Sequence, residues 1–362
     1  CARILRREVE RLGGFDRNFV IFDTDDQVAV VKQILVDQNL DPKRYPPRAV
    51  HSTISRAKNE LIPPDRFRTD DYWSEIASRV YSRYQEVLQA NNAMDFDDLL
   101  MKTHELFTRL PEVLDAYRQR YLHVLVDEFQ DTNQAQYELV KLIGGGYRNI
   151  FVVGDEDQSI YSWRGADYRN VMRFKKDFPE TKTILLEQNY RSTQTILEAA
   201  GHIIAPNPHR HSKDLFTRRG KGVPIFQVET YNGLDEARFV VEEIDRLERE
   251  EGISPGDVAV MYRTNAQSRT LEEAFIQAGM PYRLVRGTRF YERKEIKDAL
   301  AYLRFLHNPN DTFSLGRIIN LPRRGLGSRT VSALTKWAAA LNVSPWQALL
   351  TLHALHAEEG TS

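Results

Sequence analysis

Val124-Leu125-Val126-Asp127-Glu128-Phe129-Gln130-Asp131 decides how this chain is read: an apolar run that stops abruptly in carboxylates. An apolar run without polar alternation reads as a strand buried on both faces, the kind found in a parallel sheet covered by helices. In open α/β sheets, ligands sit in the crevice beyond the carboxyl ends of the strands, where Asp127 and Glu128 would stand side by side. One carboxylate can hold a hydrated magnesium ion. Its neighbour, just off the metal, can orient and deprotonate a water for in-line attack on a phosphate. The competing reading of an Asp-Glu pair is a helix N-cap followed by a surface acid.

Downstream, Thr132 to Ile143 has the pattern of a crossover helix ended by Gly144-Gly145-Gly146, and Asn149 to Asp155 reads as a second buried strand, again ending in an acid. Strand, helix and strand in this order make a parallel βαβ unit, so both acidic strand ends point into one crevice. Tyr161 and Trp163 then alternate with polar residues and are followed by Arg164, in a segment too polar for core. Aromatics beside a cation can stack on unpaired bases, although an aromatic pair is more often core. Thr183 to Glu187 reads as another strand, followed by Tyr190 and Arg191 at the turn into a helix through Ile204. An arginine on such a turn can reach a phosphate across a cleft, and a tyrosine can lie flat on a purine.

Upstream, Leu5, Val9 and Leu12 share one face of an opening helix that Gly13-Gly14 would end. Asp25 to Asn39 and Tyr72 to Ala90 have helical periodicity. Residues 41–70 between them are proline-punctuated and carry Lys43, Arg44, Arg48, Arg56, Lys58, Arg66 and Arg68, which reads as a basic insertion exposed to solvent. Asp95, Asp97 and Asp98 fall in the first turn of a further helix, where acids favour the positive end of the helix dipole, so a capping role is preferred to a metal site.

Beyond a polar, basic connection from Pro206 to Gly222, a second α/β series begins. Val223 to Glu229, Val258 to Arg263 and Tyr282 to Val285 are expected strands, and Asp235 to Glu251, Ala266 to Ala278 and Arg293 to His307 expected helices, which implies a second parallel sheet. From Asn308 onward helices dominate. Leu321-Pro322-Arg323-Arg324-Gly325-Leu326-Gly327-Ser328 is similar to the glycine hairpin of helix-hairpin-helix elements, in which backbone N–H groups at Gly325 and Gly327 can receive a DNA phosphate; a plain loop is the alternative.

At 362 residues the chain calls for two or three domains. With hydrophobic residues at 41% and charged residues at 28%, it has the composition of a globular protein. A net charge of -1 argues against a globally basic nucleic-acid binder while leaving room for local basic surfaces. A single cysteine, Cys1, rules out an internal disulfide framework and suits a reducing compartment, so a cytoplasmic location is expected. No apolar run is long enough for a transmembrane helix. The chain opens in a helical pattern without an initiator methionine, which suggests a start inside a larger protein.

Taken together, Leu125 to Thr132, Val153 to Ala166 and Gln188 to Ser192 resemble motifs II, III and IV of the UvrD/PcrA/Rep family of superfamily-one DNA helicases. Arg3-Ile4-Leu5-Arg6 is similar to the tail of the family's motif Ib, and Phe290 to Asp298 to its second core domain shortly before the second inserted domain. The resemblance implies an α/β fold with two RecA-like parallel-sheet domains and helical inserted domains. Residues 1–20 with 91–205 would form the first core domain, 21–90 its insertion, 206–307 the second core domain, and 308–362 the start of the second insertion. It implies ATP and Mg2+ as cofactors. Asp127 would hold the ion, Glu128 would serve as general base, and Gln158 would sense the γ-phosphate. Tyr190 would pack on adenine and Arg191 would reach the γ-phosphate, while Tyr161, Trp163 and Arg164 would contact single-stranded DNA.

The function so implied is ATP-dependent 3′-to-5′ translocation on single-stranded DNA, with unwinding at single/double-strand junctions in DNA repair and no membrane involvement. The resemblance admits repair-protein partners and a dimer; the residues themselves are silent on both. No Gly-x-x-x-x-Gly-Lys-Ser/Thr phosphate loop occurs in the sequence, where the only Gly-Lys, Gly220-Lys221, is followed by Gly222. That loop is expected upstream and motifs V and VI downstream, so this polypeptide alone is expected to be inactive. The rival readings are a non-catalytic DNA-binding fragment and the motor portion of a helicase-nuclease subunit.

Overall fold

The computed structural model describes residues 1–207, 213–285, 294–341 and 343–359, with Arg164, Ser328 and residues 356–359 described by their backbone alone. The chain divides into two compact units, Cys1–Thr183 with Arg293–Ser362, and Ile184–Glu292.

In the first unit, helices α1 (Ala2–Glu8), α2 (Thr24–Asp37), α3 (Pro47–Asn59) and α4 (Tyr72–Ala90) are accompanied by a short parallel pair, β1 (Val20–Ile21) with β2 (Ala93–Met94). Helices α5 (Phe96–Arg109) and α6 (Pro111–Arg120) lead to β3 (Val124–Val126), α7 (Gln134–Gly144), β4 (Ile150–Val152) and α8 (Asn170–Asp177). The starts of α2, α4 and α5 are set by Asp23, Asp71 and Asp95, each accepting backbone N–H bonds in a capping box. Asp95 and Asp98 therefore close the capping box of α5, as their position suggested, while Asp97 in the same turn accepts instead from Ser55 Oγ and Asn59 Nδ2 of α3.

Residues 41–70 depart from the exposed insertion expected. Val50, Ile54 and Ala57, at helical spacing on α3, join Val30, Val31, Ile34 and Leu35 of α2 and Ile76, Val80, Tyr81, Tyr84 and Leu88 of α4 in one core. The basic side chains outside this stripe stay exposed; Lys58 does not. It is 0% exposed, with Nζ 2.6 Å from Asp95 Oδ2 and 2.8 Å from Asp98 Oδ1. Tyr84 Oη donates to the same Asp95 oxygen at 3.0 Å, and Gln85 Nε2 to Asp98 Oδ1 at 3.1 Å. Burial alone would push the Lys58 ammonium toward neutrality; the two carboxylates outweigh it and raise its pKa.

β3 and β4 pair in parallel with Val124 opposite Ile150 and Val126 opposite Val152. Val126, Ile150 and Val152 pack on Phe129, Tyr137, Phe174 and Phe178. The expectation of strands buried on both faces is corrected here: Leu125 is 74% and Phe151 57% exposed. Side chains alternate along a strand, and among the described residues only one face of this two-stranded sheet is covered.

The second unit contains β5 (Gln188–Asn189), α9 (Gln194–Ile204), β6 (Phe216–Thr217), α10 (Gly233–Glu251) and α11 (Asn265–Gln277). Its core lies between α10 and α11, where Ala237, Val241 and Ile244 meet Ala274 and Phe275. The ladder expected from the second α/β series is not formed among the described residues, where the unit's pairing is β5 with β6 in parallel. Thr183 to Glu187 and Val223 to Glu229 lie outside any ladder, with Ile184, Leu186, Val223 and Phe226 exposed. A strand requires a hydrogen-bonded neighbour that sequence pattern alone does not supply.

Helices α12 (Lys294–His307), α13 (Thr312–Ile318), α14 (Ser328–Ala340) and α15 (Pro345–Glu359) return to the first unit. α12 packs on α13 through Ala301, Phe305, Leu315 and Ile318. It is tied to α2 by Lys297 with Asp25 at 2.5 Å and Arg304 with Asp26 at 2.9 Å. The residues before it that carried the family likeness, Phe290 to Arg293, lie outside the described residues.

Candidate functional site

Asp127 and Glu128 follow β3 directly and are both exposed at the carboxyl end of the parallel pair, where the acidic strand end was expected to open. The chain turns sharply there. Glu128 takes φ 49°, a left-handed conformation that costs a non-glycine residue about 1 kcal/mol or more. The turn is held by hydrogen bonds: Glu128 N–H donates to Asp127 Oδ1 at 2.9 Å, Asp131 N–H to the Glu128 carbonyl at 2.9 Å, and Phe129 N–H to the Val153 carbonyl at 2.9 Å. Burial first, and neighbouring Glu128 second, push the Asp131 carboxyl above its usual range.

After β4, Asp155 caps the next turn, with Oδ1 accepting from Asp157 N–H at 3.1 Å and Oδ2 from Gln158 Nε2 at 2.9 Å. Three residues beyond Gln158 comes Tyr161, half-buried, and then Trp163, 72% exposed; their ring centroids are 6.3 Å apart. The Arg164 side chain lies outside the described residues. Gly165, at φ 87°, turns the chain back, Asp167 N–H donates to the Thr132 carbonyl at 3.0 Å, and buried Asn170 donates through Nδ2 to the same carbonyl at 2.9 Å. The aromatic segment is thus fastened to the loop that carries Asp127 and Glu128.

Trp163 and Asp167 also face Ser52, Ser55, Arg56 and Asn59 of α3 across a cavity of about 570 Å³. Asn133 at the start of α7 hydrogen-bonds to Asn59, and Ser55 Oγ donates to Asp97 at 2.6 Å, so α3, α5 and the acidic loop share one polar network. The sequence reading missed Gln130, Gly154, Asn133 and Asn170. The usable signal was the density of amides beside the acids, which gives no direction by itself.

Of the remaining predicted residues, Tyr190 and Arg191 belong to the second unit. Tyr190 is 75% exposed, with its hydroxyl donating to Gln188 Oε1 at 3.1 Å. Arg191 is exposed, and its backbone is fixed by Asn189 Oδ1 at 2.9 Å and by Arg219 Nη1 on its carbonyl at 3.0 Å. Between α13 and α14, Gly325 takes φ 74° and Gly327 is the N-cap of α14. Arg324 Nη1 supports it by binding the Ile318 and Leu321 carbonyls at 2.7 and 2.9 Å.

Residues 1–179 match the family model of the UvrD/REP helicase N-terminal domain, and residues 184–352 that of the UvrD-like helicase C-terminal domain. The chain belongs to the UvrD/REP helicase family. Within it, the chain is 48% identical over 351 residues to the ATP-dependent DNA helicase PcrA of Bacillus subtilis, covering 96% of this chain and 47% of that protein. It is 50% identical over the same length to the protein of that name from Staphylococcus aureus (strain Mu50), covering 96% and 48%. The chain thus spans about half the length of the curated relatives it matches. Among the described residues, no helix is long and apolar enough to cross a membrane.

The donor set suits magnesium rather than a metal fully caged by protein. Asp127 and Glu128 offer exposed carboxylate oxygens at one strand end, and no group of three or more His, Cys, Asp or Glu that could hold a metal occurs among the described residues. Magnesium is commonly held by one or two carboxylates, with phosphate oxygens and waters completing its shell.

Proposed function

We propose that this chain carries the water-activating and strand-gripping parts of an ATP-dependent DNA helicase motor, translocating 3′-to-5′ on single-stranded DNA and opening duplex at junctions in DNA repair. One observation supports this reading most: the loop that follows the exposed acids and the segment that follows half-buried Tyr161 and exposed Trp163 are fastened together by hydrogen bonds from Asp167 N–H and Asn170 Nδ2 to the Thr132 carbonyl. Chemistry at one place can therefore move with DNA occupancy at the other. RecA-like domains at 1–20 with 91–205 and at 206–307 are part of this proposal, as are insertions at 21–90 and 308–362 and a cytoplasmic setting.

In this reading Asp127 holds the Mg2+ of MgATP, which when bound neutralises charge on the phosphate oxygens. Glu128 accepts the proton of the attacking water. Gln158 contacts the γ-phosphate, Arg191 supplies a guanidinium to the γ-phosphate, and Tyr190 an aromatic face to adenine. Tyr161, Trp163 and Arg164 stack on or pair with the single strand, and Arg56 lines the same cavity as a phosphate contact. Gly325 and Gly327 present backbone N–H groups to duplex phosphate.

Trp163→Ala in the full-length protein is expected to weaken single-stranded DNA binding by roughly 5- to 150-fold, the equivalent of about 1–3 kcal/mol for one stacked base. Fluorescence anisotropy at fixed ionic strength measures it. Arg56→Ala should lower affinity less and flatten the salt dependence. Unchanged affinity in Trp163→Ala would remove this segment from the strand path.

A further inference from the structure

Between the acidic turn after β3 and the turn after β4 lies a side chain that the mechanism above leaves unused. Gln130 is 1% exposed and makes two hydrogen bonds with its carboxamide: Nε2 donates to Glu128 Oε2 at 2.8 Å, and Oε1 accepts from Asp155 N–H at 3.0 Å. The orientation of an amide is usually ambiguous. Here its partners settle it, because a backbone N–H only donates and an ionised carboxylate only accepts. The chain of bonds continues, since Asp155 Oδ2 accepts from Gln158 Nε2 at 2.9 Å. Gln158, Asp155, Gln130 and Glu128 therefore form an unbroken series from the turn before the aromatic segment to the acid after β3.

The surroundings are shaped to this one amide. A Cβ at Gly154 would stand 2.7 Å from Gln130 Oε1 and 3.2 Å from the backbone nitrogens of Gln130 and Phe129. A side chain at 154, just beyond β4, would displace the carboxamide from this position or shift the facing backbone by a few tenths of an ångström. The residue at the other end of the amide, Glu128, is the one held in a left-handed backbone conformation. Strained backbone persists where the surrounding structure over-determines it, and such strain clusters at working sites.

We propose that Gln130 is a positioning residue that fixes the Glu128 carboxylate and joins it, through Asp155, to the turn bearing Gln158. This rests on the role of Glu128 in ATP hydrolysis given above. Gln130 touches neither nucleotide nor DNA in this account. It acts by holding one carboxylate oxygen, leaving the other to face water, and by making the orientation of Glu128 depend on where the Gln158 turn sits. Each end of the amide has a separate requirement. A glutamate at 130 keeps an acceptor for Asp155 N–H and loses the donor to Glu128; a methionine of similar shape loses both.

The test is steady-state ATP hydrolysis by the full-length protein at saturating single-stranded DNA, for wild type, Gln130→Glu, Gln130→Met, Gln158→Ala and the double variant Gln130→Glu with Gln158→Ala. The expected result is a fall in kcat of tenfold or more in both Gln130 variants, with KM for ATP and half-saturating DNA within about threefold of wild type. Because Gln130 and Gln158 lie on one series, the double variant should fall no more than about threefold below the worse single, rather than by the product of both factors. Gly154→Ala, which crowds the carboxamide from the other strand, should show the same split and decides the question if a Gln130 variant does not fold.

Wild-type kcat in a folded Gln130→Glu or Gly154→Ala protein overturns the proposal. So does multiplication of the two factors in the double variant, or a KM change as large as the kcat change. Failure of the underlying reading looks different: wild type itself would then show no DNA-stimulated hydrolysis, or Glu128→Gln would hydrolyse ATP normally.

Discussion

Glu128→Gln in the full-length protein is expected to lower the kcat for ATP hydrolysis by about 10²- to 10⁴-fold, the usual contribution of a positioned general base. Nucleotide and DNA binding should remain close to wild type. The substitution is nearly isosteric, and an amide cannot take the proton of the attacking water. It also disturbs little else, because the new carboxamide can still turn an oxygen toward Gln130 Nε2, 2.8 Å away in the native protein, and the residue is exposed. Single-turnover hydrolysis, with equilibrium binding of a non-hydrolysable ATP analogue, separates the two effects. Wild-type-like hydrolysis would take Glu128 out of the base role, and lost nucleotide binding would give it a ligand role instead.

Lys58→Met should be the most damaging single change to stability among the charged residues discussed here. It removes the cation from a site where the Lys58 and Asp98 side chains are 0% exposed and the Asp95 side chain 2%. Two carboxylates would then be left in the interior with Tyr84 and Gln85 as neutral donors. Breaking a buried ion pair in this way costs about 3–5 kcal/mol, whereas replacing all members with neutral groups can cost little. Adding Asp98→Asn and Asp95→Asn to Lys58→Met should therefore recover much of the loss, since asparagine at 95 can still cap α5. Urea denaturation followed by circular dichroism reads the shift. A Lys58→Met protein as stable as wild type would mean that the carboxylates are not buried and charged in solution.

How much of this was legible in the sequence depended on how local each signal was. The start of α5 was legible because its acids sit in the first turn, where Asp95 acts on an N–H group three residues on; the caps Asp23 and Asp71 went unread beside the helical periodicity that follows them. The acidic strand end was legible because an apolar run stopping at Asp127 leaves few alternatives. Lys58 was not, since its partners lie 37 and 40 residues away and nothing in a basic, proline-rich stretch marks one lysine as internal. Gln130 and Gly154 were hidden for the same reason: only the approach of the turn after β4 to the turn after β3 sets the carboxamide against Glu128, Asp155 and Gly154. The exposed faces of Leu125 and Phe151, and the apolar runs near 184–187 and 223–229 that form no ladder, show where pattern overreaches. Alternation and apolarity say that a segment can be a strand, while its neighbours decide whether it is one. In the site, the sequence placed acids at the strand end and the pair Tyr161 and Trp163 beyond the next strand; the connection of the two segments through Thr132, Asp167 and Asn170 required coordinates.

The most direct measurement of the central claim is the rate of ATP hydrolysis by the full-length protein as single-stranded DNA is titrated in. If the acids after β3 are tied to the Tyr161–Trp163 segment as the hydrogen bonds indicate, the rate rises and saturates, and Trp163→Ala moves the half-saturation point to higher DNA concentration. A rate that stays flat across DNA concentrations that fully occupy the protein would contradict it.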